Sequence, residues 1–308
     1  MLNNIKKKIK FYTEYHLKAL FEPIIEEKLD QMIEIRSQLK EFENAPETEK
    51  ASCWEKKFDA QQLVNRFSQV GIEVEEVEID IKDFKKWMED FPSLVKFYSN
   101  MDDARIEKIL EHYITLKYLN VKPTDIIIDV AAANSPFARI LKQKGMKAYR
   151  QDLIYQHGMN GYDIGGNADD MPVANGFADV LTLHCAFECF QGDSDIRFAR
   201  EAARILRKGG RIGIVPLYID TIHFVKTSPW CDKRKIKVEP EVKWLWRDDK
   251  YHEPFSRHYS PEAFVTRITS QMLNMEKKIL YFANLSELSN SFSGQRIYCY
   301  FMFKGKMP

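Results

Sequence analysis

The segment IIIDVAAANSPFA, residues 126–138, carries an apolar run into a turn of small residues, a place where backbone can come close to a ligand. Ala131, Ala132 and Ala133 keep side chains short at what would be the first strand-to-helix turn of an open sheet, where a nucleoside or dinucleotide sits. Asp129, inside the run, can accept hydrogen bonds from a ligand amine or from the loop's own amides. A second acid, Asp152, closes the segment KAYRQDL (147–153) about 20 residues on, where a carboxylate can accept both hydroxyls of a ribose. The turn contains no glycine, and alanine can let the backbone close on a ligand there only if its torsions are ordinary. The missing Gly-x-Gly-x-x-Gly cradle disfavours a pyrophosphate ligand, and with it a nicotinamide oxidoreductase.

Short apolar runs separated by helical stretches follow Pro123, which predicts βαβ units and a mostly parallel sheet. Strands are expected at 126–131, 147–153, 178–184 and 211–218, with helices at 135–143, 193–206 and 260–272 between them. KKILYFANL and RIYCYFMF then read as a closing antiparallel hairpin. Upstream, apolar residues recur at three- and four-residue steps from Phe11 to Phe42, an amphipathic helix that Pro23 kinks or begins. The polar stretch 43–52 reads as a linker. Helices at 58–70, 84–98 (broken at Pro92) and 105–119, with a strand at 72–81, complete an accessory module. The expected organisation is an amphipathic helix or coiled coil over 1–45, a mainly helical module over 46–120 and an α/β domain over 121–308.

At 44% hydrophobic and 30% charged residues, the chain has the balance of a globular protein. Its 46 basic and 45 acidic residues show no excess that would favour nucleic acid. Five scattered cysteines do not form a secreted disulfide framework, and no apolar stretch is long enough to cross a bilayer. These features, with no signal peptide, lead to the expectation of a cytoplasmic protein.

Four motifs in order resemble the class I S-adenosylmethionine-dependent methyltransferase family, in its small-molecule branch. DVAAANS stands at the family's cofactor turn and YRQDL at its ribose acid. GNADDMPVANGFADVLTLHCAFECF (166–190) is similar to the stretch from the adenine-binding turn through the fourth strand, and EAARILRKGGRIGIVPLY (201–218) to the Leu-Lys-Pro-Gly-Gly passage. Cys189 replaces the family's usual His, and Lys208 its Pro. The resemblance covers 121–308 and implies a Rossmann-like methyltransferase sheet with an antiparallel C-terminal hairpin, preceded by a mainly helical region. It implies S-adenosyl-L-methionine as cofactor, with Asp129, Ala131 and Ser135 at the methionine end, Asp152 at the ribose, Leu153 on the adenine face, and Asn167, Ala168 and Asp169 around that ring.

For a hydroxyl acceptor an imidazole is the natural base. His184, at the carboxyl end of the fourth strand, is the first choice and His223, after the fifth, the second; a strand-end histidine also commonly satisfies a buried hydrogen bond. Glu188 reads as a structural acid at a helix start. His184, Cys185 and Cys189 lack a fourth ligand and the paired spacing of a zinc site, so no metal is expected. The long insertion 219–259 holds Trp230, Trp244, Trp246, Tyr251, Arg234, Arg247, His252, Arg257 and His258, a composition suited to a lid over a sugar or phosphorylated acceptor or, equally, to anchoring the loop. The expected function is methyl transfer to a small polar acceptor, such as a sugar or glycan hydroxyl; the alternative is a non-catalytic binding protein that keeps the fold. The N-terminal helix needs a partner face: a second copy of itself, an anionic membrane surface, or residues 58–119.

Overall fold

The computed structural model describes residues 2–250 and 252–308. Its strands are β1 (Glu73–Val77), β2 (Ile126–Val130), β3 (Lys147–Asn160), β4 (Asp163–Gly165), β5 (Ala178–His184), β6 (Leu206–Val215), β7 (Phe224–Thr227), β8 (Lys243–Trp246), β9 (Ser256–His258), β10 (Glu276–Phe282) and β11 (Phe301–Lys306). Its α-helices are α1 (Leu2–Asn44), α2 (Ala51–Glu55), α3 (Ala60–Gln69), α4 (Ile81–Asp90), α5 (Pro92–Phe97), α6 (Arg105–Tyr118), α7 (Phe137–Gln143), α8 (Ser194–Ile205), α9 (Pro261–Arg267) and α10 (Leu285–Ser291).

Eight strands form one sheet in the order β1-β10-β11-β6-β5-β2-β3-β4. β2 lies between β3 and β5, parallel to both, and the chain winds outward from it in both directions. That reversal is the switch point where doubly wound sheets bind ligands at the strands' carboxyl ends. β11 runs antiparallel between β6 and β10, which gives the Rossmann-like sheet its antiparallel closure; α10 lies between the two expected hairpin strands. Four of the five residues of β2 and six of the seven of β5 are buried, as strands covered on both faces must be.

Strand alternation sorts these residues into two cores. Ile128, Val130, Leu181 and Leu183 pack on one face with Phe198 and Phe264, whereas Ile127 and Val180 pack on the other with Phe137 and the apolar residues of α6. Asp129, Thr182 and His184 share the α6 face, and the register places Asp129 directly beside Thr182. The sequence-expected amphipathic helix 105–119 does cover this sheet, but it also buries Glu107, Glu111, His112 and Thr115 against it. A helix that buries four polar side chains does so for contacts, since each would otherwise cost desolvation energy without return.

Residues 46–120 do not stand apart as a module. β1 adds to the sheet edge parallel to β10, and Leu63, Phe67 and Ile72 belong to the main core. The apolar faces of these short elements are too small to bury themselves, so they complete the sheet. The 43–52 linker is likewise docked: Lys50 bridges to Trp246, and the Ser52 amide donates to Asp248.

α1 runs unbroken through Pro23 and, at 1.5 Å per residue, reaches about 65 Å. Its C-terminal half packs on the 219–259 insertion, not on 58–119. Gln38, fully buried, donates to the carbonyl of Cys231 at 2.8 Å and accepts from the Lys233 amide at 2.9 Å. Asp30 pairs with Arg234 and Glu27 with Lys235. Leu20, Phe21, Ile24, Ile25, Leu29, Met32 and Ile33 remain exposed. The side chains of the early lysines, and Tyr251, lie outside the described residues. No described helix is long and apolar enough to cross a membrane.

Candidate active site

The turn after β2 is built against its glycine-free sequence. Ala131 and Ala133 take left-handed torsions, with φ of 52° and 44°, so the condition of ordinary torsions is not met. Such a conformation costs an L-residue on the order of 1 kcal/mol or more, and persists only where the surroundings fix it. Here they do. Gln151 accepts the Ala131 amide at 3.1 Å, and its own amide donates to the Gly166 carbonyl at 2.6 Å. Asp152 accepts the Ala133 amide at 2.7 Å through one oxygen and the Ile154 amide at 3.1 Å through the other. Tyr155 donates its hydroxyl to the Ala133 carbonyl. The side chains of β3 therefore clamp the turn in the shape that glycines usually give.

Below the turn, Asp129 Oδ1 accepts from Thr182 at 3.0 Å and from His184 Nδ1 at 2.9 Å. A carboxylate only accepts, so Nδ1 carries a hydrogen; Nε2 meets the Thr115 hydroxyl at 3.0 Å. The His184 side chain is 6% exposed and both nitrogens are engaged within the protein. His184 thus ties Asp129 to Thr115 of α6 through its two nitrogens. His223 is engaged in the same way: its nitrogens face the His258 carbonyl at 3.0 Å and Glu239 at 2.9 Å, both of them acceptors.

Asp129 Oδ2 is buried with no hydrogen-bond partner. An orphaned carboxylate oxygen beside a strained turn fits the ammonium of a methionine moiety. Each Asp152 oxygen accepts one amide and keeps a lone pair for a ribose hydroxyl. Ser135, whose Oγ accepts the Phe137 amide at 3.3 Å, lies in the same turn. The adenine end is more open. Leu153 and Asn167 are exposed, Ala168 is half-buried, and Asp169 is held by Arg197 at 2.7 Å. The residues present fit S-adenosylmethionine, with the methionine end the most fully built.

Past Cys185, which follows β5 at φ 49°, the sheet opens into a cavity of about 760 Å³. Sequence reasoning missed Lys108, Tyr218 and Tyr298 in its lining and gave Cys185 and Glu188 no part in a site. Cys185, Glu188, Tyr218 and Tyr298 line it together with Lys108 from α6. Burial pushes the Glu111 carboxyl up to about 7 despite the Lys108 ammonium 2.8 Å away. Glu188 does not start a long helix; it sits in a single 3₁₀ turn and is buried, and the clue was an acid inside the otherwise apolar run CAFECF. The insertion, expected either as a lid or as an anchored loop, folds as a three-stranded sheet β8-β7-β9, and only part of its aromatic and basic set reaches the cavity. Arg247 and His258 do, whereas Trp246 packs on Phe42, Arg234 pairs with α1 and Arg257 is an internal strut.

Residues 128–214 match the family model described as a methyltransferase domain. No curated protein sequence matches the chain. Among solved structures, a methyltransferase from an antibiotic biosynthesis pathway of Anabaena variabilis is 18% identical, with 37% of this chain and 47% of that one covered and a TM-score of 0.31. This chain thus spans about half of that relative's length. The Burkholderia thailandensis 1,6-didemethyltoxoflavin-N1-methyltransferase, solved with its substrate and S-adenosylhomocysteine, is 10% identical over 75% of this chain and 91% of that one, TM-score 0.44. A Mesorhizobium loti S-adenosylmethionine-dependent methyltransferase is 12% identical over 64% and 97%, TM-score 0.40. With the ordered motifs and the switch-point turn, the match over 128–214 makes that segment similar to a methyltransferase domain.

Proposed function

We propose that this protein transfers a methyl group from S-adenosylmethionine to a hydroxyl of a small polar acceptor, a sugar or glycan unit. The observation that carries the reading is the cavity of about 760 Å³ at the carboxyl ends of β5 and β6, lined by Cys185, the residue after His184. Its size suits a small ligand. Phe58, Phe255 and Tyr300 offer faces for the C–H side of a sugar ring, while Glu55, Glu188 and Asp220 accept from hydroxyls.

The cofactor, when bound, supplies an activated methyl on a sulfonium. The chain's own residues do the positioning. Asp129 holds the ammonium, Asp152 the ribose, and His184 fixes Asp129 through Nδ1. Positioning suffices for much of such a transfer, because the donor is already activated, and the proton that the hydroxyl loses passes to a carboxylate lining the cavity. Incubation of the full chain with S-adenosylmethionine and a panel of methyl glycosides, read as S-adenosylhomocysteine release, tests the reading. Release that depends on a glycoside supports it, and none across the panel refutes the sugar assignment.

Asp152→Ala removes both the ribose contact and the clamp on the Ala133 amide. Cofactor affinity should fall by about 2–3 kcal/mol, roughly 30- to 150-fold, in a protein that still melts cooperatively. Calorimetric titration checks it; unchanged affinity would displace the cofactor from this turn.

A further inference from the structure

Three side chains lining the cavity each keep a buried polar atom without a partner: Glu188 Oε2, Arg247 Nε and His258 Nε2. All three residues are more than nine-tenths buried. A folded chain pairs nearly all its buried polar groups, and of the nine unpaired atoms among the described residues these three belong to side chains that line one cavity, where a ligand can supply the partner. The rest of each side chain is fixed. Arg247 pairs with Glu253 at 2.5 Å, and His258 stacks on Phe224 with ring centroids 4.6 Å apart while its Nδ1 faces Asp220 at 3.8 Å. Glu188 lies three residues beyond the strained Cys185, and no salt bridge of the described residues reaches it. Lys108, which also lines the cavity, is engaged by Glu111.

From this juxtaposition we infer that Glu188 is the residue that binds the acceptor's reacting hydroxyl, accepting its hydrogen bond, while Arg247 Nε donates to a neighbouring oxygen of the same neutral polyol and His258 Nε2 contacts a third. The assignment rests on the methyl-transfer reading and adds the acceptor's anchor to it. A neutral ligand fits because the orphans include both an acceptor and a donor, which adjacent hydroxyls satisfy together. A lone fixed cation or anion would satisfy one and repel the other. Burial holds the Glu188 carboxyl above its ordinary value, against the pull of Lys108, Cys185 and Arg247. A carboxyl raised in this way destabilises the folded chain when ionised. That cost is absent below the unfolded value near pH 4 and full above the folded one.

The test compares the full-length wild type with Glu188→Gln and Glu188→Ala. For an acceptor-binding Glu188, Glu188→Gln melts at a higher temperature than wild type at pH 7 to 8, and the gap closes towards about pH 4. Its affinity for S-adenosylhomocysteine stays within about twofold, while transfer to the responsive methyl glycoside falls on the order of 10²-fold through misplacement of the hydroxyl. A Glu188→Gln protein that melts below wild type at neutral pH, with Glu188→Ala lower still, makes Glu188 a structural acid and overturns the inference. The melting comparison needs no acceptor, so failure of the glycoside panel counts against the sugar reading alone. Loss of S-adenosylhomocysteine binding in Glu188→Gln would place Glu188 with the cofactor and also overturn the inference.

Discussion

Asp129→Asn should weaken S-adenosylmethionine binding by roughly 10²-fold or more while leaving the fold intact. The variant keeps the size of the side chain, and its one oxygen must choose between two duties. If the oxygen stays with the Thr182 hydroxyl and the His184 ring, the new amide group sits where Oδ2 now lies bare and presents hydrogens to the cofactor's ammonium. The reverse orientation leaves Thr182 and His184 facing donors. Either way a charge-assisted hydrogen bond of about 1.5–3 kcal/mol is lost and a repulsive contact is added. Titration calorimetry on the variant gives the affinity, and thermal melting gives the fold. Wild-type affinity would show that the bare oxygen has another purpose.

Arg257→Met should cost about 3–5 kcal/mol of stability, the loss that follows when one partner of a buried ion pair is removed. Arg257 is fully buried and ties three segments together. It reaches Asp195 at 2.9 Å, Glu239 at 2.7 Å, and the carbonyls of Phe190 and Gly192 at 2.5 and 2.9 Å. Arg267 and the Tyr259 hydroxyl share Asp195, so the change leaves part of that network standing. Burial alone would raise the Glu239 carboxyl, but the His223 and Arg257 contacts outweigh it and take it down to about 2. A lowered carboxyl contributes stability above its unfolded value near 4.3, and that contribution fades as pH falls towards 2. Denaturant unfolding of wild type and variant at pH 7 and pH 3 measures both effects. The variant's deficit should shrink at the lower pH, and a deficit under 1 kcal/mol at pH 7 would remove Arg257 from the supports of the insertion.

The strands that position the site were legible because β2 and β5 are buried on both faces and read as continuous apolar runs. Asp129 and Asp152 stood out as acids at the ends or interiors of such runs. The torsions of Ala131 and Ala133 were not legible, since the side chains that enforce them, Gln151 and Asp152, act across two strands. His184 was placed on the right strand, but its contact with Thr115 was not legible, because only the tertiary approach of α6 makes it. Residues 46–120 looked separate because local periodicity reveals that an element has an apolar face, not which sheet edge receives it. The cavity lining comes from segments as distant as Glu55, Lys108, Glu188 and His258, and no spacing rule joins those.

The central claim is that a glycine-free turn, held in shape by β3, binds S-adenosylmethionine. Isothermal titration of the full-length wild-type chain with S-adenosylhomocysteine measures it most directly, with Asp152→Ala as the paired variant. The account predicts one saturable site per chain in the wild type and an affinity reduced about 30- to 150-fold in the variant. No saturable binding by the folded wild type at millimolar ligand, or equal affinity in the two proteins, would contradict it.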